Sequence, residues 1–176
     1  GDIFYCSSPE MASKLNALYE TSKFIFDDAI ICKMYHVKKT GSETRFNKTK
    51  KVVFFTQPLE METGKKIMSS ISKHLETKKQ KLYIKVHPLE NSSDYAIKNT
   101  EVINDFEEAI IGNLCISLIS TILLEGLYND STSISIIHLV DDTIELTGRY
   151  EFLNDQRILK PENETALLET IDKFIK

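Results

Sequence analysis

The chain has 176 residues, a length that fits one ordinary domain or one domain with part of another. Apolar residues make up 41% and charged residues 27% of the sequence, so the chain can bury a hydrophobic core. The formal net charge of −4 gives no electrostatic reason to expect nucleic acid as a partner.

The cysteines and the apolar runs indicate the compartment. Cys6, Cys32 and Cys115 are too few and too widely spaced for a disulfide framework or a paired metal-binding motif. No run reaches the 18 or more apolar residues that a membrane-spanning helix needs. We therefore expect a cytoplasmic protein. The lysine clusters at 48–51 and 78–81 permit peripheral contact with the inner membrane without requiring it.

Residues 1–37 predict a single strand–helix–strand unit. The apolar run 3–6 indicates a strand, and Pro9 followed by apolar residues at helical spacing indicates a helix. A second strand is predicted over 24–26 and ends at Asp27 and Asp28. Paired acids at a strand end can act as a general base or a metal ligand, although capping the next turn is the commoner role.

Residues 38–50 are polar and charged and predict a linker, and residues 51–176 then predict regularly alternating strands and helices. Strands are expected over 52–55, 82–86, 102–103, 114–119 and 134–137, and helices over 63–77, 106–111, 120–128 and 163–175. The strand segments are continuous apolar runs, which is typical of parallel sheets covered on both faces. The predicted fold class is α/β, a Rossmann-like parallel sheet with helices on both faces.

Two polar motifs follow predicted strands, at the edge where open parallel sheets bind ligands. In the first, 85–88 (KVHP), Pro88 keeps the preceding residue extended and fixes the direction of the His87 imidazole. Such a histidine can donate to a phosphate, or it can simply pack in a turn. In the second, Ser120 is predicted to be a helix N-cap, and with Thr121 it can hold phosphate or only cap the helix. Since both motifs lie on one rim, we favour a phosphate-bearing ligand.

Several familiar motifs are missing from the sequence. Neither GxGxxG nor GxxxxGK[ST] occurs, which disfavours dinucleotide oxidoreductases and P-loop NTPases. The GxSxG elbow of many hydrolases is also absent. The four histidines do not have the spacing of metal ligands, so no metal is expected.

The motifs, in their order along the chain, resemble those of bacterial sialyltransferases of the GT-B type, namely the family 52 lipooligosaccharide group and the related polysialyltransferases. Residues 26–29 (FDDA) look like the acidic-acidic-glycine motif of these families, with Ala29 in place of the glycine. The 85–88 (KVHP) segment is similar to their His-Pro motif, and 120–121 (ST) to their Ser-Ser/Thr motif. The loop 55–59 (FTQPL) resembles the loop that closes the first strand of their donor domain.

The resemblance implies an inverting, metal-independent transfer of sialic acid from CMP-sialic acid to a saccharide acceptor, in surface polysaccharide or lipooligosaccharide synthesis. It implies that Asp27 or Asp28 takes the acceptor's proton and that His87 contacts or protonates the CMP phosphate. The residues implied to hold the donor are Lys85, His87, Pro88, Ser120 and Thr121. No cofactor is implied beyond the donor substrate itself.

The resemblance also implies how much of the active-site cleft this chain supplies. Members of these families have two full Rossmann domains with the active site between them. This chain would supply only the last strand–helix–strand of the first domain, residues 1–37, which is too little sheet to stand alone easily. We therefore expect donor binding, with turnover requiring more than this chain alone, for instance a homodimer that completes the cleft.

Two other functions stay open. One is a GT-B-like transferase that uses a CDP-linked donor, such as a polyol-phosphate polymerase, which also places histidine and serine near phosphates. The other is a non-catalytic nucleotide-binding or assembly module. In that case, replacing Asp28 or His87 with alanine would leave the behaviour of the protein unchanged.

Overall fold

The computed structural model describes residues 2–6, 9–27, 29–30, 50–140 and 150–176. The chain divides into two compact units, residues 1–42 and 43–176. The predicted linker, 38–50, lies outside the described residues except for Lys50. None of the helices in the described ranges is both long and apolar enough to cross a membrane.

The first unit contains two short parallel strands and one helix. Its elements are β1 (Ile3–Tyr5), α1 (Pro9–Leu18) and β2 (Lys23–Ile25). Phe4 pairs with Phe24 in the sheet register, and their rings stack with centroids 5.3 Å apart. The Asn16 side chain bonds both the N–H and the C=O of Phe24, which ties α1 to β2.

The second unit is a five-stranded sheet surrounded by helices. In chain order its elements are β3 (Val52–Phe55), α2 (Met61–Thr77), β4 (Leu82–Lys85), β5 (Thr100–Val102), α3 (Phe106–Ile110), β6 (Leu114–Ser117), α4 (Ile122–Tyr128), β7 (Thr132–Ser135) and α5 (Glu164–Ile175). All neighbouring strands are parallel, in the order β5-β4-β3-β6-β7. The predicted α/β, Rossmann-like fold is confirmed.

The apolar runs are buried in this sheet, as a covered parallel sheet requires. Every residue of β3 and β6 is buried, and α2 turns one apolar face to the sheet. The apolar residues that α2 buries are Ile67, Met68, Ile71 and Leu75. Their helical spacing made this helix the easiest to predict.

β7 begins and ends earlier than expected. The sequence predicted a strand over 134–137, whereas β7 is Thr132–Ser135. Ser133 and Ser135 are buried in it because each hydroxyl donates to a carbonyl, Leu123 O at 2.7 Å and Leu118 O at 2.6 Å. Next to them, a Cβ on Gly126 would lie 2.7 Å from Ser133 Oγ, so only glycine lets α4 approach the sheet this closely.

The strand order locates the edge where a ligand is expected. The chain runs outward from β3 through β4 to β5, then returns to the other side of β3 to form β6 and β7. The direction of winding therefore reverses between β3 and β6. In open α/β sheets, ligands bind at the carboxyl ends of the strands beside such a switch point.

Candidate functional site

His87 follows β4 at the carboxyl edge of the sheet, and the backbone fixes its ring. Its own N–H donates to Thr56 Oγ1 at 2.9 Å, and its Nδ1 accepts the N–H of Leu89 at 3.2 Å. Since Nδ1 acts as an acceptor, the ring carries its proton on Nε2. Among the described residues Nε2 has no partner, so His87 can donate a hydrogen bond to a ligand.

A polar network beneath the turn holds His87 to β3. The Thr56 hydroxyl, which accepts from the His87 N–H, donates to Glu90 Oε2 at 2.6 Å. The Tyr95 hydroxyl donates to the other Glu90 oxygen. Thr56 and Tyr95 are buried, and burial together with the bond to Glu90 raises the pKa of the Tyr95 phenol. The Tyr95 phenol therefore stays protonated and keeps donating to Glu90, which in turn holds Thr56 under the His-Pro turn.

The His-Pro turn forms one wall of a groove of about 560 Å³. This volume lies within the usual range of small-molecule sites. Three residues predicted to bind the donor meet here, since Lys85, His87 and Pro88 all line the groove. The Lys85 Nζ donates to Asn104 O at 2.5 Å, which places a positive charge at the groove wall. The other lining residues are Val86, Leu89, Glu90, Asn91, Ser92, Val102, Ile103 and Asn104.

Ser120 and Thr121 follow β6, and neither is among the described residues that line this groove. Ser120 was predicted to be the N-cap of this helix; α4 starts at Ile122 with Thr121 at the N-cap position, one residue later, while the capping hydrogen bond still comes from Ser120. The Thr121 side chain makes no capping bond, and Ser120 Oγ accepts the Ile122 N–H at 3.3 Å. The residues before the helix are held by other elements, since Leu118 O accepts the hydroxyl of Ser135 in β7 and the Ile119 N–H donates to Gln57 after β3.

The seven residues of α4 make only about two turns, so its end contributes little dipole. What this motif offers a ligand is its hydroxyls. Ser120 is half-buried and Thr121 is exposed.

Gln57 lies between the two motifs, and the sequence did not single it out as a site residue. It follows β3, which lies between β4 and β6 in the sheet. Its Oε1 accepts the Ile119 N–H at 3.1 Å and lies 3.3 Å from Ser117 Oγ. Gln57 therefore ties the end of β3 to the loop between β6 and α4. Gln57 follows a buried strand, as His87 does. The same sequence signal could therefore have identified Gln57 as a candidate site residue.

A second cavity lies between the end of β3 and the start of α2. Its walls include Thr56, Gln57, Glu60 and Tyr95, and its volume is about 10 Å³. A space of this size holds about one water molecule. This cavity is therefore too small to enclose an organic ligand.

The acidic pair belongs to the first unit. Asp27 Oδ1 accepts the N–H groups of Ala29 at 2.9 Å and Ile30 at 3.3 Å, so its carboxylate caps the turn that follows β2. Asp28 lies outside the described residues. Ala29 is helical, so this position does not need a glycine. The role of Asp27 or Asp28 as a general base stays a prediction.

The chain matches no protein-family model and no curated protein. The resemblance to sialyltransferases therefore rests on the motif residues alone and stays a prediction. Within the described ranges, no three His, Cys, Asp or Glu side chains lie together as a metal site would need.

Proposed function

We propose that residues 43–176 bind a CMP-linked sugar and form the donor-binding half of a sialyltransferase-like glycosyltransferase. One observation carries the proposal. An imidazole held as an Nε2–H donor faces a groove of about 560 Å³ at the carboxyl edge of a parallel sheet. This edge, beside a switch point, is where doubly wound folds bind nucleotides.

The residues around the groove suit a phosphate. Lys85 brings a positive charge, and His87 brings a neutral N–H whose direction the backbone fixes. When the bond between the sugar and the phosphate breaks, negative charge grows on the departing phosphate. Donors fixed in place before the reaction stabilise that charge selectively in the transition state.

Ser120 and Thr121 would contact the same donor from the other side of β3. Strands β4 and β6 flank β3, so their ends lie about 10 Å apart at the usual strand spacing. A phosphate alone is too small to contact both motifs at once. A nucleotide sugar lying across the end of β3 is long enough, which supports a nucleotide-linked donor over free phosphate.

In the complete reaction, a general base accepts the proton of the attacking acceptor hydroxyl. The candidates are Asp27 and Asp28, by resemblance to the sialyltransferases. The proposal for residues 43–176 concerns donor binding and does not depend on that assignment.

A CDP-linked donor is the second candidate, because Lys85 adds a cationic contact beside the neutral N–H of His87 in an open groove. Calorimetric titration with CMP, CDP, UDP and cytidine separates the candidates. We expect CMP to bind at least about tenfold more tightly than cytidine, because cytidine lacks the charged acceptor that Lys85 and His87 bind. A clear preference for CDP would favour the second candidate. Absence of binding by all four compounds would refute a nucleotide-binding function.

A further inference from the structure

The ends of β3 and β4 are followed by similar sequences. Phe55 pairs with Lys85 in the sheet register, so Gln57 stands beside His87 at the neighbouring strand end. The sequences that follow are TQPLE at 56–60 and VHPLE at 86–90. Gln57 thus occupies the same position on β3 that His87 occupies on β4.

The two side chains are also oriented by the same kind of contact. An N–H can face only an acceptor, so the Ile119 N–H fixes the carbonyl end of the Gln57 amide. The amide nitrogen, with two N–H donors, then has no partner among the described residues. His87 is held likewise, since a backbone N–H occupies its acceptor atom and leaves a donor free.

We propose that Gln57 is a further donor-binding residue, whose amide nitrogen donates to an anionic oxygen of the bound nucleotide. This inference rests on the proposed function. A ligand that reaches from His87 to Ser120 and Thr121 must extend beyond the groove and cross the end of β3. Gln57 does not line the groove, and its half-buried side chain lies at that strand end. The three contacts would then follow one line along the carboxyl edge, from β4 over β3 to β6.

A purely structural role for Gln57 requires a different atom of its side chain from the one that a binding role requires. As a link between β3 and the loop after β6, Gln57 needs only its Oε1 acceptor. Gln57→Glu keeps an oxygen there for the Ile119 N–H, removes both N–H donors and adds a negative charge. The substitution therefore separates the link from the binding contact.

We expect Gln57→Glu to keep the unfolding temperature of the wild type and to bind CMP at least about tenfold more weakly, because a donor to phosphate is lost and a like charge is gained. Cytidine affinity should not change. Gln80→Glu is the matched control, because Gln80 precedes β4 at the opposite edge of the sheet. It makes the same change of charge far from the groove and should bind CMP as the wild type does.

The outcomes are separable. If the wild type binds CMP and Gln57→Glu binds it equally well, Gln57 is a structural link only and the inference is wrong. If the wild type itself does not bind CMP, the proposed function fails and the inference fails with it. If Gln57→Glu does not fold, Gln57→Met decides. It lacks both donors and adds no charge, but it also loses the Oε1 acceptor of the Ile119 N–H, so the unfolding temperature and cytidine affinity are measured beside CMP affinity. Weaker CMP binding with both of these unchanged supports the inference, and unchanged CMP binding overturns it.

Discussion

Replacing His87 with alanine is expected to weaken CMP binding at least about tenfold, because a hydrogen bond to a charged group is lost. The fold should tolerate the change. Among the described residues, the ring's one hydrogen-bond partner is the Leu89 N–H, and Leu89 is 82% exposed, so water can replace Nδ1 there. Calorimetric titration with CMP, together with thermal unfolding of the free protein, measures both quantities.

His74→Ala is the matched control for this experiment. His74 lies in the last turn of α2, where its Nε2 is 2.8 Å from Asp172 Oδ1 of α5. Its loss should lower stability without changing CMP affinity, because α2 runs from the carboxyl edge of the sheet to the amino edge. If His87→Ala binds CMP as tightly as the wild type, His87 does not contact the nucleotide.

Replacing Asn113 with alanine is expected to cause a large loss of stability. Asn113 is buried at the start of β6, and its Oδ1 accepts the Lys51 N–H at 3.0 Å. Its Nδ2 donates to Glu108 O at 2.8 Å and to Ala109 O at 3.0 Å. One side chain thus joins β3, α3 and β6. Each backbone group left unpaired inside the protein costs about 1–3 kcal/mol, so we expect Asn113→Ala to lower the free energy of unfolding by about 3 kcal/mol.

Urea unfolding measures this loss, and Asn154→Ala serves as the control because Asn154 is exposed. The control should shift the urea midpoint only slightly, as surface substitutions usually do. At temperatures where Asn113→Ala stays folded, its CMP affinity should equal that of the wild type, since Asn113 lies at the amino edge. A midpoint equal to that of the control would show that the three hydrogen bonds contribute little.

Much of the fold could be predicted because buried parallel strands are continuous apolar runs. β3 (VVFF) and β6 (LCIS) are buried along their whole length, and their sequences show it. β7 (TSIS) was displaced by two residues in the prediction, because serines look like loop residues until their acceptors are known. Those acceptors, Leu118 O and Leu123 O, belong to a loop and a helix elsewhere in the chain.

The site could be predicted only in part, for the same reason. His87 stood out because an imidazole can donate to a phosphate and Pro88 fixes its turn, and Lys85 and Pro88 do line the groove with it. The contacts that hold its turn to β3 could not be predicted, since Thr56 and Glu90 are 34 positions apart and meet only when β3 pairs with β4. Gln57 was missed because its significance depends on β3 lying between β4 and β6.

The most direct test of nucleotide binding at His87 is a long-range ¹H–¹⁵N spectrum of the histidine rings, recorded during addition of CMP and assigned with His87→Ala. In the free protein, His87 should show a protonated Nε2 and an unprotonated Nδ1. Addition of CMP should shift the Nε2 signal, whereas cytidine at the same concentration should not. A His87 ring protonated on Nδ1, or a His87 signal that CMP leaves unchanged, would contradict the proposal.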